Sequence, residues 1–82
     1  MIKVEFFGLY RLSYKMKEWT TDASTVEEVI EKLAAEYPVY SVKELKNSVI
    51  MVNGTNFLKL RKFKTELKDG DTVFVMSPAS GG

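Results

Sequence analysis

The chain has 82 residues, 12 of them basic and 11 acidic, a net charge of +1 and a 45% hydrophobic content. This size and composition describe one small domain with a modest core, too small for a deep enclosed active site, and the balanced charge gives no reason to expect nucleic-acid or membrane binding. With no Cys and no His, disulfides, thiol nucleophiles, imidazole bases and zinc sites built from these ligands are excluded, which leaves carboxylates, amines, hydroxyls and the chain ends for chemistry.

In residues 2–7, Ile2, Val4 and Phe6 alternate with Lys3, Glu5 and Phe7, the period of a half-buried strand, and Gly8 breaks the run. The opening lacks the apolar stretch of a signal peptide, and no apolar run is long enough to span a bilayer. A soluble, cytoplasmic protein is therefore expected. Residues 14–21 form a second alternating stretch, and a hairpin with the first strand is the simplest link.

Thr25 and Glu28 have capping-box spacing. Val26, Val29, Ile30, Leu33, Ala34 and Tyr37 then recur as one apolar helical face. Pro38 predicts that this helix ends at about Tyr37. Residues 39–47 read as a connector with a short helical turn around Val42–Lys46. Ser48–Val52 reads as a strand, Asn53-Gly54 as a tight turn and Phe57–Leu60 as a short return strand. Arg61–Lys68 is a basic connector. Asp69-Gly70-Asp71 reads as a turn, since a calcium loop needs many more ligands. Thr72–Met76 is the last strand, and residues 78–82 are expected to form a flexible tail after a domain spanning 1–77.

This order predicts an α+β fold, with one main helix on a mixed sheet of four to five strands. In the β-grasp, or ubiquitin-like, arrangement of these elements the first and last strands lie parallel at the centre. Val73 and Val75 then face the helix, while Phe74 and Met76 face outward with Phe7. An apolar patch beside the departing tail has the character of a docking surface, and Phe57 is expected to join it. Arg11 reads equally as a partner contact or as ordinary surface. Lys59, Arg61, Lys62 and Lys64 read first as a solvated connector, with contact to an acidic partner as the alternative. Trp19 is left open between core and rim.

Several of these segments together resemble the molybdopterin synthase small subunit family. They are Met1-Ile2-Lys3-Val4 with Phe6-Phe7 and Arg11, the helix start Thr25-Val26-Glu27, Asn53 after the third strand, and Leu67-Lys68-Asp69-Gly70-Asp71 followed by a strand and Pro78-Ala79-Ser80-Gly81-Gly82. Two features depart from the family pattern: the long basic stretch Lys59–Lys64, and Met76 where an aromatic residue is more typical. The resemblance implies a sulfur carrier, not a catalyst on its own. Its Gly82 carboxylate would be adenylated by a ubiquitin-activating-like enzyme that uses ATP, and converted to a thiocarboxylate with sulfur from a donor protein. The larger catalytic subunit would then place that sulfur on a pterin precursor during molybdenum cofactor biosynthesis. No bound cofactor or metal is implied. Related carriers serve thiamin, tungsten-cofactor and tRNA-thiolation pathways or tag proteins, so a ubiquitin-like modifier is the alternative.

The tail chemistry suits these residues. An α-carboxylate is ionised at neutral pH, with a pKa of about 3.5. Gly81-Gly82 can thread a narrow channel because it has no Cβ. Extended at about 3.3 Å per residue, Pro78, Ala79, Ser80, Gly81 and Gly82 reach roughly 16 Å, enough to enter a partner's pocket while the body stays outside.

Overall fold

The computed structural model describes residues 1–12 and 14–77. The chain runs β1 (Ile2–Phe7), α1 (Leu9–Leu12), β2 (Glu18–Thr21), α2 (Val26–Glu36), α3 (Val42–Lys46), β3 (Val49–Val52), β4 (Thr55–Asn56) and β5 (Thr72–Met76), with 3-10 turns at Phe57–Lys59 and Lys62–Lys64. The five strands form one sheet in the order β2-β1-β5-β3-β4. β1 and β5 are parallel at its centre, with Val4 opposite Val73 and Phe6 opposite Val75. The remaining pairs are antiparallel.

The period-two pattern fixes which face is buried. Ile2, Val4 and Phe6 of β1, Ile50 and Val52 of β3, and Val73 and Val75 of β5 all lie in the core. They meet Val26, Val29, Ile30 and Leu33 of α2. Burying a branched side chain of this size stabilises by roughly 1.5–3 kcal/mol, so this one interface carries much of the stability. Thr25 caps α2 by accepting the Glu28 N–H at 3.2 Å, and the Glu28 carboxylate accepts the Ser24 N–H at 2.7 Å. The helix runs to Glu36 with Tyr37 as its C-cap, one residue before Pro38, close to where the spacing predicts its end.

Three local expectations are corrected. The stretch 14–21 is a strand only over Glu18–Thr21, because Tyr14 and Met16 pack against the core instead of extending the ladder. The link from β1 to β2 is not a plain hairpin loop: Gly8 (φ +69°) turns the chain into α1. The return strand is Thr55–Asn56, not Phe57–Leu60. Asn53 and Gly54 both have positive φ, as a two-residue hairpin turn requires, so pairing resumes at once at Thr55. The Asn56 side chain then accepts the Leu58 N–H at 2.9 Å, which ends the ladder and starts the 3-10 turn.

Candidate functional site: an apolar patch at the root of the tail

The parallel register puts Phe7 directly opposite Met76. On the neighbouring strand Val49 faces Met76, and Met51 faces Phe74. All five side chains therefore share the sheet face turned away from α2. Phe7 and Phe74 lie against each other with ring centroids 5.6 Å apart, while Met76 is 40% exposed. Together the five residues line an apolar depression of about 260 Å³ with no charged or polar side chain in its wall. The grouping of Phe7, Phe74 and Met76 was legible in the strand alternation. Val49 and Met51 were missed, although buried Ile50 and Val52 already placed them outward.

Phe57 does not belong to this patch. It is only 6% exposed and sits in the core, edge-on to Phe63 with centroids 5.1 Å apart. The 3-10 turn swings its ring inward, where a strand would have carried it along the sheet. Arg11 is exposed on α1, just beyond Gly8, and so flanks the end of the sheet where β1 finishes. Lys59, Arg61, Lys62 and Lys64 are all exposed, and among the described residues none has an ion-pair partner. Trp19 is half-buried, and its indole N–H donates to the Glu36 carboxylate at 2.9 Å.

The chain beyond β5 is held where it departs. Ser77 is buried, and its N–H donates to the Phe7 carbonyl at 3.4 Å. Its hydroxyl accepts the Leu9 N–H at 2.9 Å. Residues 78–82, and with them Pro78, Ala79, Ser80, Gly81 and Gly82, lie outside the described residues.

The Asp69-Gly70-Asp71 segment is a turn, with Gly70 at φ +92°. The Asp71 carboxylate accepts the Lys68 N–H at 2.8 Å and the Asn53 amide at 3.0 Å. These two bonds hold its pKa below the usual carboxylate range. No cluster of acidic side chains that could hold a metal occurs among the described residues, and no helix there is long and apolar enough to cross a membrane. In the core, burial raises the pKa of the Tyr10 and Tyr40 hydroxyls. Tyr10 shares a 2.6 Å hydrogen bond with Ser48.

A mixed five-stranded sheet with parallel central strands, clasped on one face by a single main helix, defines a β-grasp protein of the ubiquitin-like class. The chain belongs to the ThiS family, whose model matches residues 4–82, and is thus a ubiquitin-like sulfur carrier, a class of chain that is not catalytic by itself. It is 32% identical to small archaeal modifier protein 3 of Haloferax volcanii, over 99% of this chain and 98% of that protein. Small archaeal modifier protein 1 from Methanosarcina acetivorans superposes with a TM-score of 0.83 at 26% identity, covering 99% and 95% of the two chains. A solved complex of subunits 1 and 2 of molybdopterin-converting factor from Helicobacter pylori contains a similar chain. It has a TM-score of 0.69 and 25% identity, with 99% and 97% coverage.

Proposed function

We propose that this protein is the sulfur-carrying small subunit of a molybdopterin synthase, loaded at Gly82 and docked through the patch formed by Phe7, Phe74 and Met76. The observation that carries this reading is the position of that patch. It lies one residue before the anchored Ser77, so a partner that takes in the tail must also cover it. The Gly82 carboxylate attacks the α-phosphate of ATP on an adenylating enzyme and pyrophosphate leaves. A persulfide on a donor protein attacks the acyl-adenylate and AMP leaves. A thiol then cleaves the acyl disulfide, and the thiocarboxylate remains. The larger subunit of the synthase receives this terminus and transfers its sulfur to a pterin precursor. The likeness to a subunit of the Helicobacter pylori complex supports the reading.

A second reading has its own support. The 32% identity to an archaeal modifier protein over nearly its whole length favours conjugation, in which a lysine amine attacks the same adenylate and forms an isopeptide. Intact-mass measurement on protein purified from its own cell separates the two. A gain equal to the mass difference between sulfur and oxygen is the expected result. Addition to lysines of other proteins, with no thiocarboxylate form, would establish the modifier reading instead.

A further inference from the structure

Between β4 and β5 the chain makes two successive 3-10 turns, Phe57–Lys59 and Lys62–Lys64. Residues 57–65 hold Lys59, Arg61, Lys62 and Lys64 and no acid. Phe57 is the buried anchor of this strap, with Phe63 edge-on to it at 5.1 Å, and the four cations stay exposed. Leu58 and Leu60 alternate with them and are 61% and 41% exposed. The Arg61 N–H donates to the Thr65 hydroxyl at 3.0 Å, and the Thr65 N–H donates to the Lys62 carbonyl at 3.1 Å. These bonds hold Lys62 at φ +54°, a left-handed conformation that glycine and asparagine adopt more readily than lysine. A cation thus stands where the backbone alone favours another residue. Lys46 of α3 adds to the charge, its Nζ lying 5.4 Å from the centre of the Phe63 ring. The acids beside the strap are Glu27, 4.0 Å from Lys46, and Glu66. Glu31 lies a further turn along α2, and Glu44 lies toward Tyr10 and Tyr40. Five cations therefore stand against two acids, and one of those is already engaged by Lys46.

We propose that this strap is a second docking surface, which takes an acidic segment of a partner protein that also carries leucine-sized apolar side chains. Charge selects the sign of the guest: exposed lysines and an arginine in one short segment complement carboxylates and repel a basic surface. Leu58 and Leu60 select its kind. They offer apolar area that a protein segment covers on docking and that a phosphate backbone leaves wet. Single-stranded nucleic acid is held by bases stacked on aromatic faces, whereas the Phe63 ring is half-buried, edge-on to Phe57 and covered by Lys46. The net charge of +1 for the whole chain points the same way. The strap starts beside the tail-root patch, because Asn56, the residue before Phe57, pairs with Met51 of that patch. One partner can therefore cover both surfaces. The reading stands whether the tail carries sulfur or is joined to a lysine, since neither reaction touches the strap.

The test titrates the full chain, labelled with nitrogen-15, with a capped peptide of alternating glutamate and leucine. The lysine–leucine and glutamate–serine peptides and a single-stranded oligonucleotide serve as comparisons. The expected result is saturable shifts of the amides of residues 58–64 and Lys46 with the glutamate–leucine peptide, weaker at higher salt, and none with the lysine peptide. Lys62→Asn suits the left-handed backbone while removing a charge, so the variant should fold and lose about threefold to fivefold in affinity. Lys59→Gln should do the same outside the strained position. Lys17→Asn makes the same change in net charge just before β2, at the opposite edge of the sheet from β4, and should leave the affinity unchanged. The proposal is overturned if the glutamate–leucine peptide does not saturate, if the glutamate–serine peptide binds as tightly, or if Lys17→Asn weakens binding as much as the strap variants. Tighter binding of the oligonucleotide to the same amides would assign the strap to nucleic acid and overturn it too. So would concentration-dependent shifts of those amides without peptide, by assigning the strap to a second copy.

Discussion

Ser77 reaches across Gly8 to accept the Leu9 N–H, and the space above Gly8 is filled by that hydroxyl. A Cβ built on Gly8 would collide with Ser77 Oγ, and Gly8 holds a φ of +69°. Two residues 69 positions apart in the sequence therefore fix the point at which the chain leaves β5. Gly8→Ala meets both a disfavoured backbone region and a steric clash, and should destabilise by at least 1 kcal/mol. For a domain of this size that is a fall in Tm of about 4–8 °C per kcal/mol. Ser77→Ala relieves the clash and leaves the strain, so the double variant should be more stable than the sum of the two single losses. Thermal melts of the three variants check this, and strict additivity would contradict the contact.

Removing Gly82 should leave the melting temperature unchanged, because the core members among the described residues all precede Ser77 in the chain. It should abolish adenylation, as should one extra residue after Gly82, which turns the reacting carboxylate into an amide. Pyrophosphate release in the presence of ATP and the cognate adenylating enzyme is the measurement. Full activity in either variant would rule out terminal activation.

Much of this architecture was written in short-range pattern. The α2 stripe, its Thr25 cap and its stop before Pro38 are local signals, and so is the Asn53-Gly54 hairpin turn. The parallel pairing of β1 with β5 followed from element order, and with it the grouping of Phe7, Phe74 and Met76. Some misses depend on packing that no local pattern shows, whereas the start of β4 at Thr55 and the outward positions of Val49 and Met51 were within reach of the local pattern. Leu9–Leu12 has no helical periodicity of its own and is set by Gly8 and by the bond from Leu9 to Ser77. Phe57 looks like a surface aromatic among lysines until Phe63 folds back on it.

Acid should weaken the protein through Asp71. Its hydrogen bonds to the Lys68 N–H and the Asn53 amide favour the carboxylate, so the folded pKa lies below the unfolded value of about 3.9. A depressed carboxylate contributes stability that is present above the unfolded pKa and is lost as pH falls through the folded one. Asp71→Ala should therefore cost about 1 kcal/mol at neutral pH and show a shallower loss of stability below pH ~4. Urea titrations at neutral and acid pH make the comparison. An unchanged acid limb would assign the sensitivity to other carboxylates.

The patch itself separates binding from folding. Met76 is the most exposed of its members, and its side chain adds little to the core. Phe7 is half-buried against Phe74, so its truncation carries a folding cost of about 1 kcal/mol from the lost ring contact. Binding should suffer more, because aromatic anchors at interface centres are commonly worth 2 kcal/mol or more, roughly thirtyfold in affinity. Phe7→Ala should accordingly weaken both the adenylating enzyme and the larger synthase subunit while the domain still folds. One surface serving two partners means that they bind in turn, and a competition titration should show it. Phe57→Ala is the contrasting case. It empties a core position and should cost about 3 kcal/mol or more in stability, with no loss of affinity in whatever fraction remains folded. If Phe7→Ala leaves both affinities unchanged, the partners dock elsewhere, and the exposed cations from Lys59 to Lys64 are the next surface to vary.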